Sequence, residues 1–372
     1  MTLTPTQLNR TTLLRQGLLR RSTITTAEAV RRFGPLQSQS AASTYLALWN
    51  RVSDFDPVRL DEAYRSASLV KASLLRLTLH TVHADDLAVY RSAMLPNLRG
   101  AGFGDRRFTS TGMTVERAEH LTEQLAEFLA EPRTRREIEA ELTRLMGDNP
   151  APGLWRALRF TAPWRHHHGD HPWSFSDPAR FVVHDAETID RVEATARVVR
   201  RYLEAFGPAT RRDIGQFTIL RLAAVDDALD RIDVVRLDGP SGQLFDLPDR
   251  PIADHMPTPA RLLPMWDNTL LAYADRTRLI PEEYRRHVLR RNGDVLPCLL
   301  VDGHVAGVWR ALEETIEIAA FADLAERTVD ELEAEAMSLN GLLADRDPTV
   351  YRRHHHWWEQ LPVESRITFS FA

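Results

Sequence analysis

One short element recurs three times along the chain and constrains its fold more than any other feature. A threonine is followed three residues later by an acid, at the head of an amphipathic run. Thr134-Arg135-Arg136-Glu137-Ile138 and Thr210-Arg211-Arg212-Asp213-Ile214 nearly coincide, and Thr25-Thr26-Ala27-Glu28-Ala29 shares their skeleton. A threonine at the N-cap accepts from the amide three residues on, and the acid there returns the bond and suits the positive end of the helix dipole. Capping boxes are common, so three unrelated helix starts fit the same residues. The surroundings narrow the choice, because a helix precedes each box, an apolar helix follows it, and extended residues come next. That is the order of a winged helix.

In the second copy, 115–130 reads as a helix, Pro132 punctuates it, 134–145 starts the next, 155–160 forms a third and 181–183 is a strand. In the third, 192–206 and 213–217 are helical, 225–229 is the third helix, and 233–237 with 243–247 give two short strands. The first copy includes a helix over 42–51 and ends in a predicted strand over 73–83. There Leu75, Leu77 and Leu79 turn inward, while Arg76, Thr78 and His80 turn outward. An outward Arg/Thr/His face suits a phosphate backbone, and an ordinary half-exposed strand looks the same. From about Pro257 strands dominate: 261–265, 296–301, 304–310 and 314–320, with a tight hairpin at Asp302-Gly303. A long acidic helix over 329–343 and an irregular tail around His354-His355-His356-Trp357-Trp358 close the chain. These patterns divide it at 1–83, 84–187, 188–255 and 256–372.

A length of 372 residues with 43% hydrophobic content suits two or three compact units. No run of 18 apolar residues occurs, and the first twenty residues lack a signal-peptide core, so a cytoplasmic, nucleoid-associated protein is expected. A single cysteine, Cys298, leaves no internal disulfide and no cysteine-ligated zinc or iron–sulfur site within one chain. The net charge of -5 is unevenly spread. Residues 1–53 carry seven arginines against Glu28 alone, a balance of +6, whereas 311–336 carry nine acids against Arg327, a balance of -8. A basic footprint for phosphates and a mixed solvated surface both fit. Lys71 is the sole lysine, and so the only side-chain amine able to form a Schiff base.

The sequence lacks a P-loop, a dinucleotide-binding glycine motif, a nucleophile elbow and the cysteine pair of a zinc deaminase, so no cofactor is expected. His166-His167-His168 with His171 is a poor metal set, since neighbours on a strand point alternately and no acid completes it. With Trp164, Arg165 and Trp173 around them, these histidines suit stacking and charge contacts to DNA, as does a polar surface loop with no such role. Between the first capped helix and the next lies Gly34-Pro35-Leu36-Gln37-Ser38-Gln39-Ser40. If extended, it sends the carboxamides of Gln37 and Gln39 to one side and Ser38 to the other, able to hold a water or a sugar oxygen; plain loop solvation explains the bare pattern as well.

Leu36-Gln37-Ser38-Gln39, Tyr45-Leu46-Ala47-Leu48-Trp49 and Leu77-Thr78-Leu79-His80 together resemble the N-terminal part of the AlkZ-type winged-helix DNA glycosylases. The resemblance continues through the 202–209 run, Leu262-Leu263-Pro264 with Asp267 and Tyr273, Arg276 with Arg278, and Val301-Asp302-Gly303 with Gly307 and Trp309. It implies an α+β fold of three tandem winged-helix units in a C-shaped array plus a C-terminal β-barrel-like domain. Gln37 and Gln39 would be the catalytic pair in the concave channel, with Ser38 where the family often has an aliphatic residue. The implied activity is monofunctional hydrolysis of the glycosidic bond of bulky N7-alkylated purines in double-stranded DNA. It would include interstrand crosslinks of the azinomycin type and give self-resistance, from a protein expected to be monomeric. Arg76, His80, Arg165, His166, His167, His168, Arg276 and Arg278 are the expected DNA contacts. An alternative keeps the DNA binding and gives the glutamines no chemistry: a winged-helix regulator or drug-binding resistance protein.

Two carboxamides can suffice for such a lesion. Glycoside hydrolysis ordinarily needs an acid to protonate the leaving group and a second carboxylate to activate water or attack. An N7-alkylguanine already carries positive charge and departs without a proton, which leaves water to orient and an oxocarbenium-like sugar to stabilise. A crosslinked nucleotide cannot swing into a closed pocket, so an open cleft is required.

Overall fold

Helices α1 (Pro5–Arg15), α2 (Thr26–Phe33), α3 (Ala41–Arg51) and α4 (Pro57–Arg65) build the first part of the chain, with strands β1 (Leu36–Gln37), β2 (Leu69–Ser73) and β3 (Leu79–His83). This computed structural model describes residues 2–147, 153–175, 177–184, 188–254 and 256–371. The ends proposed from the sequence for the second and third segments, 187 and 255, lie outside the described residues. Next come α5 (Ala84–Phe103), α6 (Arg106–Thr109), α7 (Val115–Phe128), β4 (Arg133–Thr134), α8 (Arg135–Met146), α9 (Leu154–Thr161), β5 (Trp164–His166) and β6 (Arg180–Val183). The third stretch holds α10 (Arg191–Phe206), α11 (Arg211–Thr218), α12 (Leu222–Leu229) and the hairpin β7 (Val235–Gly239) with β8 (Gly242–Asp246).

All three capping boxes form. Thr25, Thr134 and Thr210 each accept from the amide three residues on, and Glu28, Glu137 and Asp213 each return the bond to the threonine amide. A fourth, Thr4 with Gln7, opens α1 and escaped the sequence reading because its third residue is not an acid. Helix α1 is buried on nearly every side and carries its polar groups inward, each with a partner. Gln16 donates to the Ala205 carbonyl, Asn9 to those of Arg278 and Gly303, and Arg15 pairs with Asp246 at 2.7 Å. The helix therefore ties the start of the chain to its third and last parts.

The expected strand over 73–83 is two strands and a turn. Ser73 ends β2, Leu75–Leu77 make a single 3-10 turn, and β3 begins at Leu79. Arg76 and Leu77 both adopt left-handed backbone angles, at φ 52° and 59°, which breaks the alternation the leucines suggested. One six-stranded sheet results, in the order β1-β3-β2-β5-β6-β4, and the β2–β5 pair joins strands from 1–83 with strands from 84–187.

The last part contains β9 (Arg261–Leu262), α13 (Glu282–Val288), β10 (Cys298–Val301), β11 (His304–Leu312), β12 (Thr315–Ala320), α14 (Glu326–Ala344) and β13 (Ser365–Ser370). The Asp302-Gly303 hairpin joins β10 to β11 as the sequence predicts, with Asp302 at φ 46° and Gly303 at φ 77°. Its strands pair in the order β13-β12-β11-β10-β9; among the described residues β13 and β9 do not meet, so the sheet is open where a barrel-like domain was expected. The tail expected to be irregular instead forms a 3-10 segment, Arg352–Gln360, ahead of β13, a strand the sequence reading missed.

The charge asymmetry is spent inside the fold. Five of the seven arginines in 1–53 are ion-paired: Arg10 to Asp302, Arg15 to Asp246, Arg21 to Glu335, Arg31 to Asp85 and Asp86, and Arg51 to Asp267. Glu335 belongs to the acidic stretch, so the basic and acidic ends of the chain meet each other. Those five charges are therefore each matched by a carboxylate where they lie. No helix among the described residues is long and apolar enough to cross a membrane.

Candidate active site

The Gln-x-Gln segment is placed by the end of α2. Gly34 follows Phe33, and a Cβ there would lie 2.4 Å from the Val30 carbonyl oxygen, so only glycine lets the chain turn so tightly. The chain then runs antiparallel to β3, with Leu36 opposite Thr81, Gln37 opposite His80, and the Ser38 amide donating to the Leu79 carbonyl at 2.8 Å. Asn268, from the last part of the chain, donates to the Pro35 carbonyl and pins the entry from outside.

Alternation does what the sequence suggested. The Ser38 side chain enters the core, where its hydroxyl bonds the Leu36 carbonyl and the hydroxyls of Thr44 and Thr81. A hydroxyl at this position is thus satisfied by neighbouring threonines. Gln37 takes the other face, and Gln39 follows just beyond the end of β1. Gln37 is 6% exposed, whereas Gln39 lies open at the surface. Strand β1, which ends at Gln37, is the edge of its sheet.

On that face Arg76 reaches back from the left-handed turn. Its Nη2 donates to Gln37 Oε1 at 2.5 Å and lies 3.3 Å from His80 Nε2. Its Nη1 donates to the Phe217 carbonyl at 3.2 Å, and the guanidinium lies 4.4 Å from the centre of the Phe217 ring. Among the described residues Arg76 has no ion-pair partner. Burial, with Arg276 nearby, pushes it down to about 9. Gln39 is held more loosely, its Oε1 accepting from the Leu79 amide at 3.4 Å.

His80 does not face outward as expected. It is fully buried beneath Arg76, with Nδ1 3.1 Å from the Thr78 carbonyl oxygen. A carbonyl can only accept, so Nδ1 carries the proton, and Nε2 is free to accept from Arg76. Burial and the Arg76 charge hold His80 well below the usual histidine range, hence neutral.

Of the other expected contacts, Arg276 joins this group. It donates to the Leu270 carbonyl at 2.8 Å, and its Nη2 reaches Gln216 at 3.1 Å once that carboxamide is turned to satisfy both its ends. Arg278 sits on the same turn, stacked 3.8 Å from the Tyr273 ring centre and donating to the Pro208 carbonyl. Residues 165–168 lie apart. His166 pairs across the sheet with Lys71 and packs on Phe181 and Phe175, where burial and the Lys71 charge hold it neutral. Arg165, one residue before, points to the Gln37 face, three strand spacings or about 14 Å away. His167 and His168 are half-buried with their rings 4.6 Å apart, and among the described residues no histidine, cysteine and acid group could hold a metal. Gln216, Phe217 and Asn268 were missed: Phe217 meets Arg76 across 141 residues and Asn268 meets Pro35 across 233, and nothing in their local sequence signals it.

Lys71 lies on the wrong face for chemistry at the glutamines. It is opposite Thr81, and Thr81 is opposite Leu36, so its amine shares the core face with Leu36 while Gln37 occupies the reverse. The amine sits 4.5 Å from the Phe175 ring centre, and burial pushes it from 10.5 down to about 8. Below pH 8 the folded and unfolded forms both carry the proton, and the full burial cost opposes folding. Between 8 and 10.5 only the unfolded form keeps it, so stability rises with pH and the cost vanishes above that window. Each tenfold loss of proton affinity on folding is worth about 1.4 kcal/mol, so Lys71→Met is expected to stabilise the protein at neutral pH by about 3 kcal/mol, with the gain shrinking toward pH 10. Thermal melts of both proteins across that range check this, and an equal gain at every pH would contradict it.

Residues 30–341 match the model of the family described as DNA glycosylase AlkZ-like. An interstrand DNA cross-link repair glycosylase of Streptomyces sahachiroi is 26% identical over 347 residues, spanning 87% of this chain and 92% of that protein. The solved structure of Streptomyces sahachiroi DNA glycosylase AlkZ superposes with a TM-score of 0.80 at 22% identity, covering 94% of this chain and 99% of that one, a likeness that shows the fold. With the family model spanning most of its length, the chain belongs to the AlkZ-like DNA glycosylases.

Proposed function

We propose that this DNA glycosylase hydrolyses the N-glycosidic bond of bulky N7-alkylated purines in duplex DNA, interstrand crosslinks among them, and leaves an abasic site without nicking the strand. One observation carries the reading: the Gln37 carboxamide sits on an edge strand, with Gln39 two residues on, beside an arginine that has no ion-pair partner among the described residues. Gln37 Oε1 has two lone pairs, and Arg76 takes one, leaving the other for a water aimed at the sugar. Gln39 supplies the second carboxamide from the exposed side. Among the described residues no carboxylate hydrogen-bonds to Gln37, Arg76 or His80, which suits a base that is already cationic and leaves without a proton. An edge strand is open along one side and spares a tethered nucleotide from entering a closed pocket. The amine of Lys71 behind the sheet supports hydrolysis over Schiff-base chemistry.

The three capped helices, each within a set of three and followed by a hairpin or sheet strands, support three winged-helix units arranged around the duplex. Arg165, His167, His168, Arg276 and Arg278 are the proposed backbone contacts, since each is half-buried with part of its surface open. His80 is too deeply placed for that role, and His166 is turned to the other face against Phe175 and Phe181. The crosslink named for the Streptomyces sahachiroi relative agrees with the lesion proposed here.

The test incubates duplex carrying one N7-alkylguanine with the protein and then breaks abasic sites in hot alkali. Strand breaks that appear with the native chain, only after alkali, and fade with Gln37→Ala plus Gln39→Ala are expected. Sequence-selective binding with no base released would overturn the proposal.

A further inference from the structure

We propose that Arg76 is a positioning residue for Gln37: anchored by His80 and by the Phe217 carbonyl, it fixes which end of the Gln37 carboxamide faces the lesion. This rests on the catalytic reading of Gln37 given above.

A carboxamide is nearly symmetric in shape and opposite in polarity at its two ends. Rotated by half a turn, Gln37 would offer N–H groups to a cationic base and an oxocarbenium-like sugar, where an oxygen is needed. Arg76 has only donors, so the 2.5 Å contact forces Oε1 toward it and fixes the orientation. The polarised oxygen keeps one lone pair for water.

Arg76 is itself held from three sides. Phe217 offers its ring and its carbonyl from α11, and His80 offers Nε2, a role available only because its Nδ1 proton is committed to the Thr78 carbonyl. The backbone also serves the contact. Arg76 and the following Leu77 occupy left-handed angles that no glycine relieves, in the turn that aims the guanidinium back over β3 at Gln37. Left-handed non-glycine residues persist where the surroundings over-determine them. The half-buried guanidinium is held by a carbonyl, a carboxamide and a neutral imidazole, with no ion-pair partner among the described residues. Its charge stays directed at Gln37.

The experiment is a double-mutant cycle on duplex containing N7-methylguanine. It reads the single-turnover rate of base release and, separately, duplex affinity by fluorescence anisotropy, for Gln37→Ala, Arg76→Met and both together. Methionine keeps the apolar stem and removes the guanidinium. Arg76→Met is expected to lose at least tenfold in rate while affinity stays within threefold, and the double variant to be no slower than Gln37→Ala alone. Multiplying losses, or a loss confined to affinity, would overturn the proposal and make Arg76 an ordinary DNA contact. A Gln37→Ala variant with native rate would instead sink the catalytic reading itself. Should Arg76→Met fail to fold, His80→Phe keeps the arginine and removes its acceptor, with the same tenfold loss expected and partial recovery in His80→Gln, whose amide oxygen can accept again. Native rate in a folded His80→Phe would count against the proposal.

Discussion

Gln37→Ala is expected to slow base release from an N7-alkylguanine duplex by about a hundredfold or more, the cost of removing one preorganised group that aligns charge or water. Gln39→Ala should cost less. Gln37 is nearly enclosed and locked to Arg76 at 2.5 Å, whereas Gln39 is exposed and held by a single long bond. A side chain that must be ordered on substrate binding contributes less than one already in place. Single-turnover rates at saturating protein separate this from weaker binding. Equal losses for the two variants would contradict the asymmetry, and no loss for either would remove the glutamines from the chemistry.

The second large effect is on stability. Arg51 and Asp267 are both wholly buried, joined by two bonds of 2.9 and 2.7 Å, and the arginine also reaches Thr269 and the Ala47 carbonyl. Arg51→Ala leaves Asp267 charged and unpaired in the core and is expected to cost about 3–5 kcal/mol. Replacing both partners with apolar residues of similar volume should cost much less, because no orphaned charge remains. Urea unfolding midpoints of the three proteins test this, and a double replacement as damaging as Arg51→Ala would contradict it. The pair also bears on the site. Asn268, next to Asp267, donates to the Pro35 carbonyl two residues before Gln37. Loosening this corner should therefore reduce activity in the fraction of protein that stays folded.

Much of the secondary structure was legible because it is written locally. A threonine, an acid three residues on and an apolar run specify a helix start without help from elsewhere, and all three boxes formed. The Asp-Gly hairpin and the acidic helix, observed over Glu326–Ala344, are local in the same sense. Alternation likewise put Gln37 on one face and Ser38 on the other. The failures are non-local. Leu69–Ser73 is buried on both faces, so it shows no alternation and went unread as a strand. Alternation in Leu75-Arg76-Leu77 came instead from a turn with two left-handed residues, which no residue type announced. Arginine-rich residues 1–53 looked like a phosphate footprint because their carboxylate partners lie far along the chain. The bond from Arg76 to Gln37 and the support from Phe217 likewise depend on the assembled fold.

The most direct measurement compares excision of N7-methylguanine with excision of uracil from otherwise identical duplexes by the same purified protein. If two carboxamides act without an acid, the cationic base is released and uracil is retained, because its neutral leaving group needs a proton this site does not offer. Robust release of uracil would contradict the account and require an acid catalyst in place of Gln37 and Gln39.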